Sequence, residues 1–183
     1  MVKGISVAIV ISSSAPAPQI NLLVFVLYIE YILSTMIEKT IEHLHHLIKI
    51  IPALLINIDE KEFSYKSSDD KWSKKEILGH LIDSATNNHQ RFVRSQFEDT
   101  PSINYDQNKW NKYNFYNQIE KEQLIAFWTI YNKQLYAIIR LIPKDHLIKM
   151  CNTGGVENVT IEFLFNDYVL HMEYHLKQIV SYS

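Results

Sequence analysis

Helix breakers are scarce in this chain, and their scarcity limits what it can fold into. Across 183 residues there are only four glycines and five prolines. That is too few for the many turns of a β-sandwich and suits a handful of long helices. A chain of this length can bury a full core as one domain. Its 47% hydrophobic and 21% charged residues are ordinary for a globular fold. The formal net charge of −2 offers no basic footprint for nucleic acid or an anionic membrane. The single cysteine, Cys151, excludes an internal disulfide and any cysteine-built zinc cluster.

Charge is unevenly spread. Residues 1–35 hold only Lys3 and Glu30, and every other charged residue lies in 36–183. The opening reads as an apolar run (Ile5 to Ile11), a Ser/Ala/Pro stretch and a second apolar run from Ile20 to Leu33. Lys3, the first run and Ala15-Pro16-Ala17 loosely fit a signal peptide, but Pro18 disfavours cleavage there. The second run is short for a membrane span and contains Glu30. Residues 1–35 are therefore read as an appended or mis-assigned start, with a membrane-associated leader or an extra packed helix as alternatives. Residues 36–183 are read as the folded domain, with no membrane segment.

Four helices are expected in that domain. The first is predicted from about Met36 to Ile56, with Thr35 and Glu38 at capping-box spacing and a kink at Pro52. Ile37, Ile41, Leu44, Ile48 and Leu55 would form its buried stripe. A polar loop follows. The second has the best start signal in the chain: Ser73 and Glu76 form a capping box, flanked by Trp72 and Ile77 as a hydrophobic staple. It should run to about Phe97, burying Ile77, Leu81, Ala85 and Phe92. A long aromatic connection, 98–117, leads to a third helix from near Asn117 to before Pro143, with Glu120 again at capping-box spacing. The fourth starts at Thr160 and reaches about Val180. Connections this long exceed what antiparallel neighbours need, so a bundle with at least one crossover is expected.

The histidines carry the chemistry. His171 and His175 stand at i and i+4, about 40° apart on one helix face and close enough to share an ion. The competing reading is two partly buried histidines bonded to neighbours. His80 adds a third imidazole at the edge of the second helix's apolar stripe, with Ser84, Asn87 and Arg91 within about 40° of it. Such a polar line is costly unless it lines a cavity or meets partners. Asp167 and Gln178 flank the other pair. Three neutral imidazoles with an open fourth position suit a catalytic site of zinc type. His89 lies about 180° around the helix from His80 and cannot join it. His43, His45 and His46 on the first helix offer a second cluster, but solvated or helix-flanking roles fit them better. His146 reads as exposed and Cys151 as a spare loop thiol.

The run Trp72-Ser73-Lys74-Lys75-Glu76-Ile77-Leu78-Gly79-His80-Leu81-Ile82-Asp83-Ser84 resembles the second helix of the DinB-like (DinB/YfiT) superfamily. Tyr105-Asp106-Gln107-Asn108-Lys109-Trp110 looks like the YfiT, bacillithiol-transferase branch, and Thr160 to Ile179 is similar to the family's last helix. The resemblance spans about residues 37–180. It implies an all-α four-helix bundle of up-down-down-up topology, often a homodimer, in the cytoplasm. It also implies metal ligands at His80, His171 and His175, with nickel or zinc as the ion. Two departures stand out: Tyr174 replaces a histidine common in relatives, and residues 1–35 have no counterpart.

The expected activity is metal-dependent transfer of a small-molecule thiol of bacillithiol type to an electrophile, because a divalent ion deprotonates a coordinating thiol. In that reading Arg91 meets an anionic group of the thiol, and Asp83 or Asp167 orients a ligand imidazole. A hydrolase using an ion-activated water is the alternative, and a non-catalytic metal-binding, stress-linked protein is a third.

Overall fold

The computed structural model describes residues 22–182, with side chains at 24 and from 36 onward. The expectations for the first apolar run and the Ser/Ala/Pro stretch lie outside the described residues. The chain divides into two compact units, Met1–Ser34 and Thr35–Ser183. Of the first, the helical backbone from Leu22 is described.

Helix α1 spans Leu22–Ile56, so it begins well before the expected start and residue 35 sits within helical backbone. The Thr35/Glu38 spacing therefore caps nothing. A capping box acts only where the backbone leaves the helix, and residues 22–35 contain no glycine or proline to force that. The predicted stripe is buried as read, with Leu47 and Ile51 added. Pro52 lies inside the helix. At its far end, the buried Lys121 Nζ donates to the carbonyls of Ile56 and Ile58 at 3.1 and 2.7 Å. A cation thus satisfies carbonyls that α1 leaves open at its C-terminus.

A short helix, α2 (Glu60–Phe63), interrupts the expected polar loop and buries Phe63. Helix α3 (Lys74–Arg94) starts with the predicted capping box. Glu76 N–H donates to Ser73 Oγ at 3.1 Å and Ser73 N–H donates to Glu76 Oε2 at 2.8 Å. The following connection contains α4 (Gln107–Tyr113), which is pinned by Asn111 Nδ2 donating to the Glu76 carbonyl at 2.8 Å. Helix α5 is Lys121–Leu141, four residues later than predicted. Asn117 does not cap it: its Oδ1 accepts from Ser73 Oγ at 2.8 Å, and Glu120 precedes α5 without a side-chain cap. A two-residue-per-strand hairpin, β1 (Met150–Cys151) and β2 (Val159–Thr160), forms in the expected glycine loop, with Gly154 at φ 91°. Helix α6 (Ile161–Ile179) starts as predicted, with Thr160 accepting from Phe163 N–H.

Side-chain contacts fix the helix directions. Along α1, Thr40 meets Asn166 and His43 meets Glu173, so α1 and α6 run parallel. His45 stacks on Tyr136 and Lys121 reaches Ile56, so α1 and α5 are antiparallel. His80 faces His171 and His175 while Phe92 faces Phe165 and Tyr168, which sets α3 against α6. Ser73 meets Asn117 just before α5, and His89 meets Tyr131 within it, so α3 and α5 are parallel. The result is a four-helix bundle in up-down-down-up order. Two parallel consecutive helices require a connection that travels the bundle's length, which is why residues 95–120 are so long. Among the described residues no helix is long and apolar enough to cross a membrane.

Candidate metal centre

His80 projects from α3 and is buried, whereas His171 and His175 project from successive turns of α6 and are partly exposed. One nitrogen from each ring lies within 4.8 Å of the other two. His80 Nε2 and His171 Nε2 are 3.1 Å apart. Ring centroids are separated by 5.0, 4.9 and 4.6 Å, with interplanar angles of 71–76°. Two nitrogens bound tetrahedrally to one ion at about 2.0–2.1 Å stand about 3.3 Å apart, so this donor set fits a divalent ion with little adjustment.

Electrostatics supports the same fit. Burial, and then the neighbouring imidazoles His171 and His175, push His80 down to about 3. Burial and then His175 push His171 down to about 4. His175 is lowered by burial, a shift that the neighbouring Gln178 side chain partly opposes. All three rings are therefore neutral at neutral pH, the state in which an imidazole nitrogen can donate its lone pair. His80 Nδ1 and His175 Nδ1 are buried with no hydrogen-bond partner.

The other histidines are apart from this centre. His89 Nδ1 pairs with Tyr131 OH at 2.9 Å. His43 faces Glu173 at 3.2 Å, His45 stacks on Tyr136, and His46 is exposed, so these three do not converge. His146 sits beside Gln96. Cys151, read as a spare loop thiol, lies in β1 and is a buried core residue: its Sγ donates to the Pro101 carbonyl, and burial raises its pKa.

Asp83, one turn beyond His80, is 2% exposed. Its Oδ1 accepts from Tyr116 OH in a short hydrogen bond and from Asn114 Nδ2 at 2.9 Å. Its Oδ2 is buried without a partner. Burial raises the carboxyl to about 6, against the Tyr116 bond that lowers it. Arg91 spends its guanidinium on the Ile103 carbonyl, at 3.2 and 3.0 Å, and on Asn88 Oδ1 at 3.3 Å. Asn87 and Asn88 return their amides to carbonyls on α3 itself, so much of the polar line closes on its own helix. Asp167 lies in a groove with Lys39, Thr40 and His43.

Sequence reasoning had assigned Trp72 only to the staple, yet its ring lies 4.9 Å from His80. It missed Tyr116 and Asn114 as partners of Asp83. A signal was present in Gly79, a glycine inside a strong helix. A Cβ there would stand 2.1 Å from the Tyr116 ring, so glycine admits the aromatic that reaches Asp83.

The sequence profile of the DinB superfamily matches residues 43–179. YfiT of Bacillus subtilis, which carries the name of a metal-dependent hydrolase, is 25% identical over 117 residues, or 63% of this chain and just under two thirds (66%) of that protein. A similarly named protein of Halalkalibacterium halodurans is 22% identical over 144 residues, covering 78% and 84%. The solved structure of Bacillus subtilis YfiT, described as an unusual four-helix bundle, superposes with a TM-score of 0.73 at 20% identity over 92% of this chain and 91% of that one. A mycothiol-dependent maleylpyruvate isomerase superposes with a TM-score of 0.61 at 14% identity over 76% of this chain, which spans 60% of the isomerase. These superpositions establish the shared fold.

Proposed function

The chain belongs to the DinB superfamily, and from that premise we propose that His80, His171 and His175 hold one divalent metal ion in an enzyme acting on a small-molecule thiol. The observation that carries this reading is the convergence of three neutral imidazoles from α3 and α6, with nitrogens within 4.8 Å. Nickel and zinc both accept imidazole nitrogens. Relatives named as metal-dependent hydrolases support the ion.

When bound, such an ion would acidify a coordinating thiol or water. The chain's own residues set what surrounds it. Trp72 packs on His80 and holds the ring. Tyr116 and Asn114 hold Asp83, whose other oxygen makes no hydrogen bond to His80; in this reading the carboxyl, one helical turn from that ring, handles a proton instead of orienting the imidazole. With Arg91 engaged by Ile103 and Asn88, we assign it to holding the 101–105 segment against α3 rather than to an anion. In this reading the sulfur comes from an external thiol of bacillithiol type, which the burial of Cys151 in the core supports. A neighbour in fold that is named mycothiol-dependent supports a thiol. A cavity of about 350 Å³ lined by Lys109, Trp110, Tyr113 and Asn114 suits an apolar electrophile. A homodimer in the cytoplasm belongs to the same reading, and light scattering checks the dimer.

The second reading is hydrolysis, favoured by the Asp83 carboxyl near its proton-exchange range. Metal-loaded protein is offered a chromogenic electrophile with bacillithiol, cysteine, glutathione or no thiol, beside ester and amide substrates. Thiol-dependent turnover is expected. Turnover of esters or amides without thiol, lost in His171→Ala, would reverse the ranking, and silence throughout would leave a metal-binding protein. Elemental analysis of His80→Ala, His171→Ala and His175→Ala should show that each loses stoichiometric metal while remaining helical. Full retention in any variant removes that residue from the site.

A further inference from the structure

Helix α5 carries two lines of apolar side chains. Leu124, Trp128, Leu135 and Ile139 are buried in the bundle. On the other side Phe127, Ile130 and Leu141 are 47, 66 and 81% exposed, and Gln123, Gln134 and Ala137 are exposed among them. Positions 123, 127, 130, 134, 137 and 141 are spaced by alternating fours and threes, the period of a coiled-coil seam. Packing into the bundle needs one such line, and the buried one meets that need. The outer line runs the length of the helix and is left facing water.

We propose that this outer face of α5 pairs antiparallel with the same face of a second copy of the chain. The inference rests on the homodimer given with the proposed function and assigns it a surface. With the two-fold axis level with residue 132, Phe127 faces the partner's Ala137, Ile130 the partner's Gln134, and Gln123 the partner's Leu141. Large side chains thus meet small or flexible ones, and the glutamines in the seam fix the register. Charge selects the direction. Glu122 in the first turn and Arg140 in the last stand about five whole turns apart, so they share one flank of the line, and both are exposed. Antiparallel pairing sets each acidic start beside a basic end, whereas parallel pairing sets like beside like. Opposed helix dipoles favour the same direction. Lys133, on that flank near the axis, has a stem long enough to turn its ammonium out to water. Helices of this length, about 30 Å, bury about 600 Å² on each side when paired, which reaches the lower bound of about 1,200 Å² for a stable interface.

Sedimentation velocity of the full-length protein over a range of concentrations tests this surface. Ile130→Glu places two carboxylates in the seam of each dimer and should raise the dissociation constant about 100-fold or more, with circular dichroism and metal content unchanged. Leu170→Glu is the control, because that leucine is 64% exposed on α6 and should leave the dimer intact. The double variant Phe127→Cys/Ala137→Cys should form a disulfide-linked dimer on oxidation, and neither single variant should. Cross-linking by Phe127→Cys alone would mean parallel pairing and overturn the arrangement. Loss of the dimer in Leu170→Glu but not in Ile130→Glu leaves the homodimer standing and moves its interface to α6, so the inference falls by itself. A monomeric wild type sinks the homodimer and this surface together; a lowered melting temperature of Ile130→Glu would then assign the line to a segment of the same chain. None of these readouts depends on thiol or turnover, so they leave the enzymatic reading untouched.

Discussion

Gly79 shows how one residue can decide the site. Helix α3 bears the cost of a glycine in its interior, roughly 0.5–1 kcal/mol against alanine, so that the Tyr116 ring can lie against it and bond Asp83. Gly79→Ala should therefore destabilise the fold by about 1–3 kcal/mol despite alanine's better helix propensity, measured by urea denaturation. A stabilised variant would show that the ring yields cheaply. The imidazoles make a second prediction, for the metal-free protein. His80 and His171 sit at about 3 and 4 in the folded state, below 6.5, so the unfolded chain protonates first as pH falls. Their stabilisation is complete above pH 6.5 and drains away toward pH 4. Asp83 works against this, because its raised value of about 6 lets the folded state take a proton first. Two imidazoles oppose one carboxyl, so a net loss on the order of 1 kcal/mol per pH unit is expected between pH 6 and 4. Denaturation midpoints at pH 7, 6 and 5 with chelator check it; a midpoint that rises on acidification would contradict the sign.

At the scale of elements, α3 is the organising piece. Its capping box was fully legible because the signal is local: Ser73, Glu76 and the backbone between them. The structure adds a task, since Ser73 Oγ also donates to Asn117 and so ties the start of α3 to the turn before α5. Ser73→Ala removes both bonds and should cost about 1–2 kcal/mol, seen as a fall of about 3–6 °C in melting temperature. An unchanged melting temperature would mean that neither bond contributes. The start of α5 was misplaced because Asn117 and Glu120 satisfy a spacing rule, while Asn117's oxygen was already taken by a residue 44 positions away. The start of α1 was misplaced for the opposite reason: a plausible cap at Thr35 lies where nothing breaks the helix.

For the whole molecule, the core identified among the described residues begins at Ile37, and the superfamily match begins at residue 43. Removal of residues 1–35 should leave melting temperature and metal content nearly unchanged. A loss of several kcal/mol, a large share of a domain's total stability, would show that this segment belongs to the fold. The up-down-down-up order also explains the chain's allocation of length. Parallel α3 and α5 demand the long 95–120 connection, and that connection delivers Asn114 and Tyr116 to Asp83 and lines the cavity around Trp110 and Tyr113.

The amino-acid sequence alone determined what depends on neighbours along the chain. Those features are the helical class, the buried stripes of α1 and α3, the caps at Ser73 and Thr160, and the i, i+4 pairing of His171 with His175, all set by backbone periodicity and short-range bonding. His80 could be nominated from its place at the edge of a stripe, and family likeness strengthened the nomination. Its meeting with the α6 pair was decided by tertiary structure, because α3 and α6 run antiparallel and bring residues 91 positions apart to 3.1 Å. The same packing made Trp72 a wall of the centre, turned Arg91 onto a backbone carbonyl and buried Cys151. Such roles depend on which surfaces face each other when the helices close, and no local pattern of residues encodes that.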